Sequence, residues 1–183
     1  MRKIEVVPHD HNWVKLFQIA ANELTDVLGQ EVVAIHHIGS TAIPSIYAKS
    51  IIDILIEVHV IERIDDLNPE MIELGYRPRG EFGIPGRRFF IQGRDGERTR
   101  HVHMFQTGNP DVERHLNFRD YMIAHPREAQ AYSRLKRELA RKFPEDIEGY
   151  MDGKDPFIKN VERKALAWKE TFVRDLGNIK SRS

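Results

Sequence analysis

Asp53 stands alone in an apolar run that extends from Ile51 to Val60. A carboxylate in such a run is costly unless it is paired, hydrogen-bonded or near a metal. Twelve residues, 41 to 52, separate it from a small-residue turn, Gly39-Ser40-Thr41. The glycine lets the backbone approach a ligand closely, and the two hydroxyls and local amides can donate to phosphate oxygens. Lys49, just before the apolar run, could reach a phosphate as a point charge. Downstream, His101 and His103 alternate on a β-type run, so both face one side of a strand. Such a pair can hold a transition metal or meet a phosphate. Asp53 has two readings: a metal anchor and catalytic residue, or a structural acid bonded to the 39–41 turn. Glu57 shares its face, but four residues along a strand is ~13 Å, too far to share one ion.

The elements that must position these groups follow from periodicity. Trp13, Leu16, Phe17, Ala20, Leu24, Val27 and Leu28 recur at helical spacing over residues 10–28, with Asp10 able to cap the start and Gly29 to end it. Val32 to Ile38 reads as one strand and Ile51 to Val58 as a second, buried on both faces. Residues 62–74 read as a helix closed by Gly75. Arg87 to Gln92 and Arg100 to Gln106 read as a hairpin around Arg94-Asp95-Gly96. From Asn109 the texture becomes helical. Asn109-Pro110, His125-Pro126 and Asp155-Pro156 each place proline where a helix can begin. The expected helices cover 110–124, 126–142 and 156–176, with a short one near 144–151. In the last long one, Phe157, Val161, Ala165, Trp168, Phe172 and Leu176 form one apolar stripe that reads as core packing. The residues after Gly177 read as a loose tail.

The 183 residues contain no cysteine, which excludes disulfides and thiolate metal sites. Lys plus Arg and Asp plus Glu number 28 each, so no bulk attraction to nucleic acid or anionic membrane is expected. The balance is local rather than uniform: between Arg77 and Arg100, seven arginines meet only Glu81, Asp95 and Glu97. No apolar stretch approaches the ~20 residues of a membrane helix. No leader-like segment opens the chain, and a cytoplasmic protein is the expectation. There is no Gly-x-x-x-x-Gly-Lys-Ser/Thr loop and no Gly-x-Ser-x-Gly elbow.

The combined run HIGSTAIP (37–44) and AKSIIDI (48–54) resembles the GrpB family, a branch of the nucleotidyltransferase superfamily. HNWVKLF (11–17), HVHMF (101–105), FRDYMIAHPREAQAYSRLKRELA (118–140) and YMDGKDPFIKNVERKAL (150–166) extend the resemblance over nearly the whole chain. It implies an α+β fold: a single GrpB-like domain over 1–183, with a nucleotidyltransferase-like mixed-sheet core in 1–108 and a helical portion in 109–183 packed against it. In that superfamily a Gly-Ser turn precedes a strand carrying two carboxylates two residues apart. Asp53 matches the first; Leu55 occupies the position of the second. The resemblance further implies that His103 lies where a neighbouring strand supplies a third ligand. It places Lys136 and Lys154 at family-like positions; for each of them, as for Lys49, two readings stand, lining the same cleft or a plain surface role. Arg119, on the helical face of Val112, Leu116 and Ile123, is expected to point inward, toward a ligand phosphate or into an internal salt bridge.

Two functions are therefore expected. One is nucleotidyl transfer from a nucleoside triphosphate, assisted by Mg2+ or Mn2+ held at Asp53, His101 and His103. The other is a nucleotide- or phospholigand-binding module with catalysis lost, which the Leu55 position favours. Gly39, Ser40, Thr41, Lys49, Arg119, Lys136 and Lys154 are the expected phosphate-binding set for either.

Overall fold

The computed structural model describes residues 3–94 and 97–180, with the side chains of the last helix described through Thr171. Five strands form one mixed sheet: β1 (Val32–Ile38), β2 (Ile52–Val58), β3 (Tyr76–Pro78), β4 (Arg87–Arg94) and β5 (Glu97–Gln106). Their order is β1-β2-β5-β4-β3, with β2 and β5 parallel and the other neighbours antiparallel. Five helices accompany them: α1 (Asn12–Leu28), α2 (Asn68–Glu73), α3 (Pro110–Ala124), α4 (Pro126–Lys142) and α5 (Ile147–Lys180). The fold is mixed α+β, as expected.

The alternation of β2 sorts its side chains. Ile52, Ile54, Ile56 and Val58 face α1, where they bury Trp13, Ala20, Leu24 and Leu28 in the largest core cluster. Asp53, Leu55 and Glu57 face the other side. There, α3 covers the Leu55 end through a cluster of Ile38, Leu55, Phe105 and Val112. Covering only part of this face is what leaves Asp53 at the margin of the sheet rather than inside it.

Several boundaries differ from the sequence expectation. The stretch expected as one helix over 62–74 begins as a 3-10 turn, Ile61–Leu67, and becomes α-helical only at Asn68. Pro69 lacks an N–H and suits a first helical turn, so the α-helix starts beside it. The three-residue edge strand β3 was not expected. The short helix near 144–151 and the helix over 156–176 are one helix, α5, with Pro156 inside it. A proline removes one intrahelical bond. Packing on both sides of it, by Tyr150 and by Val161 and Ala165, holds the helix through the defect. Asp95 and Gly96 of the expected hairpin turn lie outside the described residues, as do residues 181–183 of the expected tail; residues 178–180 belong to α5.

The segment joining β1 to β2 ties the sheet to the helices. Ile43 and Ile46 leave the sheet and enter the core of α3, α4 and α5, with Tyr121, Met122, Ala129, Tyr132, Val161 and Ala165. The Tyr47 amide donates to Ser133 Oγ of α4 at 2.8 Å. Ile46→Ala is therefore expected to cost ~2–5 kcal/mol. Denaturant unfolding should stay a single transition, because the lost side chain belongs to both halves. Two separated transitions would show that the helices and the sheet are not joined through it.

Candidate functional site

The end of β1 and the start of β2 build the floor. Ile38 pairs with Asp53 across the two strands, so the turn that follows Ile38 lies against the carboxylate. Gly39 has φ 70° and ψ −170°, a region essentially reserved for glycine. A Cβ at Gly39 would sit 2.5 Å from Asp53 Oδ2 and 3.0 Å from Asp53 Cβ. Glycine is required here twice over, by backbone angle and by contact.

Parallel pairing sets Asp53 beside His101 and Leu55 beside His103. His101 Nδ1 lies 3.1 Å from Asp53 Oδ1, and His103 Nε2 lies 3.9 Å from it. An ionised carboxylate only accepts, so His101 Nδ1 carries the proton. Arg87 Nη1 donates to His103 Nδ1 at 3.3 Å. That nitrogen is then the bare one, and His103 presents Nε2–H to Asp53. Burial alone would raise the Asp53 pKa, but the hydrogen bond from His101 and the nearby His103 ring outweigh it and hold the carboxyl well below its ordinary range. Burial lowers His103 despite the Asp53 charge. Burial, with His103 and Arg114 nearby, takes His115 down to about 3, and burial takes His37 to about 4.

These donors do not suit a hard divalent cation. Asp53 supplies one carboxylate, and both histidines turn N–H groups toward it. The second carboxylate position is Leu55, fully buried in the cluster under α3. Among the described residues no group of three or more His, Asp or Glu is arranged to hold a metal. Asp53, His101 and His103 do converge, with Asp53 hydrogen-bonded to His101 and His103 3.9 Å away.

The helices supply the wall. Lys136 of α4 is 2% exposed, and its Nζ is buried with no hydrogen-bond partner. It lies 4.5 Å from the Tyr132 ring centroid, one helical turn back. Lys154 of α5 repeats the arrangement over Tyr150 at 4.6 Å, and Lys49 lies over the same ring at 4.4 Å. Burial, and then the nearby Lys154 charge, lower the Lys136 pKa to about 7, against the pull of Asp53. Lys154 is lowered by burial and feels Asp53 in the opposite sense. Burial, and then the nearby Tyr150, push the Tyr132 hydroxyl pKa up, against a lowering influence from the Ser40 side chain. Lys136 and Lys154 thus lie within the field of Asp53, each against a tyrosine that the sequence reading missed, with Lys49 on the Tyr150 ring. The signal was present: Tyr132 precedes Lys136, and Tyr150 precedes Lys154, by four residues, the spacing of neighbours on a helix face.

Two expected phosphate ligands are differently engaged. The Thr41 hydroxyl is 3.4 Å from the Ile51 carbonyl and 2.9 Å from His37 Nε2, with the residue 2% exposed, so it locks the turn. Arg119 donates to Asp120 Oδ1 at 2.7 Å and to the His37 carbonyl at 3.0 Å. It ties α3 to β1 through a neighbour on its own helix and a backbone oxygen. Of the two expectations, ligand phosphate or internal salt bridge, the contact present is an internal salt bridge, made to Asp120.

A family model described as GrpB protein matches residues 3–164. The UPF0157 protein YqkA of Bacillus subtilis is 48% identical over 97% of this chain and 52% of its own length. The glutamate-rich protein GrpB of Alkalihalophilus pseudofirmus is 33% identical over 87% of this chain and 94% of its own length. The chain thus spans about half of the first relative and nearly all of the second. The crystal structure of GrpB from Enterococcus faecalis superposes with a TM-score of 0.87 at 40% identity, covering 90% of this chain and 99% of that one.

Two outcomes test this geometry. Leu55→Asp should destabilise the fold by several kcal/mol in chemical denaturation, because it buries a charge under α3 without a partner; a stable Leu55→Asp protein that gains divalent-cation affinity would contradict the packing. Acid should also destabilise the protein. His37 and His115 titrate at about 4 and 3 when folded, against 6.5 when unfolded. Below pH ~6.5 the unfolded chain therefore binds more protons, and stability falls as pH is lowered toward 4. His115→Gln should flatten that slope in melting curves taken between pH 4 and 7.

Proposed function

The chain belongs to the GrpB family, and from that premise we propose that it is a binding module for a phosphate-bearing ligand. The observation that carries this reading is Lys136. A buried amine with no hydrogen-bond partner is a cost to the fold. A second lysine beside it adds repulsion, which packing alone gives no reason to keep. An incoming anion offsets both. Phosphate oxygens would accept from Lys136 and Lys154, with Lys49 and Ser40 at the rim and the Gly39 turn allowing close backbone approach. Asp53, held ionised beside His101, offsets part of the positive charge of Lys136 and Lys154 and leaves the rest for the anion.

Nucleotidyl transfer is the second reading, with Mg2+ or Mn2+ brought by a nucleoside triphosphate. One observation favours it: the Asp53 side chain is ionised, 28% exposed, and seated directly against the Gly39 turn. That placement is the part of the nucleotidyltransferase resemblance this chain retains, and it supports kinship to that superfamily. The buried Leu55 weighs against turnover. Transfer of labelled nucleotide to any acceptor, abolished by Asp53→Asn, would favour the second reading over the first.

Lys136→Met separates a binding role from a structural one. The folded amine titrates at about 7 against 10.5 for an ordinary lysine. Between those values the unfolded chain binds more protons, so the native lysine lowers stability at neutral pH. Removing it should raise the melting temperature at pH 7. Affinity for tripolyphosphate or ATP, measured by calorimetry, should fall ~10- to 100-fold, the worth of one charge-assisted hydrogen bond. Wild-type affinity should also weaken between pH 6.5 and 8.5 as Lys136 loses its proton, and the variant should lack that component. A destabilised variant with unchanged affinity would reverse the assignment.

A further inference from the structure

Phe82 is 53% exposed, yet its ring and backbone are both fixed. Its φ is +44°, an outlier for a bulky side chain. Three bonds hold it there. Arg87, only 5% exposed, donates from Nη2 to the Phe82 carbonyl at 2.7 Å and from Nε to the Glu81 carbonyl at 3.1 Å. The Gly86 amide donates to Glu81 Oε1 at 2.7 Å. A buried arginine thus places two of its three hydrogen bonds on the backbone that holds an apolar ring at the surface. Its remaining bond goes to His103 Nδ1, which faces Asp53.

The rings make the same connection. Phe82 stacks on Phe89, with centroids 5.3 Å apart and planes 19° apart. Phe89 in turn contacts the rings of His101 at 5.5 Å and His103 at 4.9 Å. Phe82 is the outer end of an aromatic series that begins at the Asp53 cluster. The exposed Arg79 guanidinium lies over the Phe82 ring at 5.2 Å, a cation–π contact that an incoming base would displace.

We propose that Phe82 is a base-stacking platform and that the ligand of this site is a nucleotide, its phosphates toward Lys136 and Lys154 and its base on Phe82. This rests on the phosphate-site reading above and narrows it. A phosphate or phosphorylated sugar alone would leave a held, exposed ring without use. Stacking on one aromatic face tolerates any base, so the module discriminates nucleotide from bare polyphosphate more than one base from another.

The test compares ATP, UTP and inorganic tripolyphosphate by calorimetry on wild type, Phe82→Ala, Phe82→Leu and Phe82→Trp. Wild type should bind both nucleotides more tightly than tripolyphosphate, by roughly 5- to 150-fold for one stacked base. Phe82→Ala and Phe82→Leu should lose that preference while holding tripolyphosphate normally; Phe82→Trp should keep it. On wild type, nuclear Overhauser contacts from the adenine H8 and H2 protons to the Phe82 ring should appear, a readout independent of how any variant folds. Equal binding of ATP and tripolyphosphate overturns the stacking role and leaves the phosphate site standing. A nucleotide preference that survives Phe82→Leu, or the absence of base-to-Phe82 contacts in the ATP complex, overturns it as well. Binding of none of the three overturns both readings.

Discussion

The ionised carboxylate of Asp53 imposes the constraint that its surroundings satisfy. It sits near the start of β2, between the buried Ile52 and Ile54, where an unpaired charge would be costly. Three features answer that cost. The parallel register of β2 and β5 sets His101 directly beside it. His103, its tautomer fixed by Arg87, adds a second N–H from the same strand. The Gly39 turn closes against the carboxylate so tightly that no side chain fits between. Each depends on the others: a bulkier turn or a shifted register would leave the charge without its donors.

The same face of the sheet is divided by what covers it. Under α3, Leu55 completes an apolar cluster with Ile38, Phe105 and Val112. Beyond the edge of α3, the side chains are polar and meet the helical wall. Leu55, two residues on from Asp53 on the same strand face, falls on the covered side. A carboxylate there would have no water and no cation partner, so the leucine is the residue that this helix placement calls for.

On the wall, the charge logic runs the other way. Lys136 is buried against Tyr132, near a second lysine, with no hydrogen bond. The tyrosine rings give the ammonium groups a favourable face, worth about 0.5–2 kcal/mol each. That does not replace a full set of acceptors. Floor and wall are therefore unlike: the floor is a satisfied negative centre, the wall an under-satisfied positive one. An anion that enters between them gains from the wall and is held off the floor. The 80–86 loop adds a third kind of surface, an aromatic ring held outward at the cost of an unfavourable backbone angle.

How much of this was legible in the sequence depends on range. Local chemistry wrote the elements: the alternation of Val32–Ile38 and Ile52–Val58, the helical period of α1, and the prolines that open α3 and α4. The turn at Gly39-Ser40, the acid at Asp53 and the His101/His103 alternation were readable because each is set by neighbours a few residues away. Pairing was not readable. Whether His101 meets Asp53 depends on a parallel register between strands 48 residues apart, and no local signal fixes that. Thr41 and Arg119 carry the right chemistry for a phosphate, but the Ile51 and His37 carbonyls, the His37 ring and the adjacent Asp120 engage them first. Pro156 reads as a helix start because locally it is one; only packing on both sides of it lets α5 run through. The sequence by itself determined which residues could do chemistry and the faces they occupy. Tertiary structure decided which of them meet, which are already bonded, and which lysine is left buried without a partner, because burial and hydrogen-bond satisfaction are properties of the assembled chain.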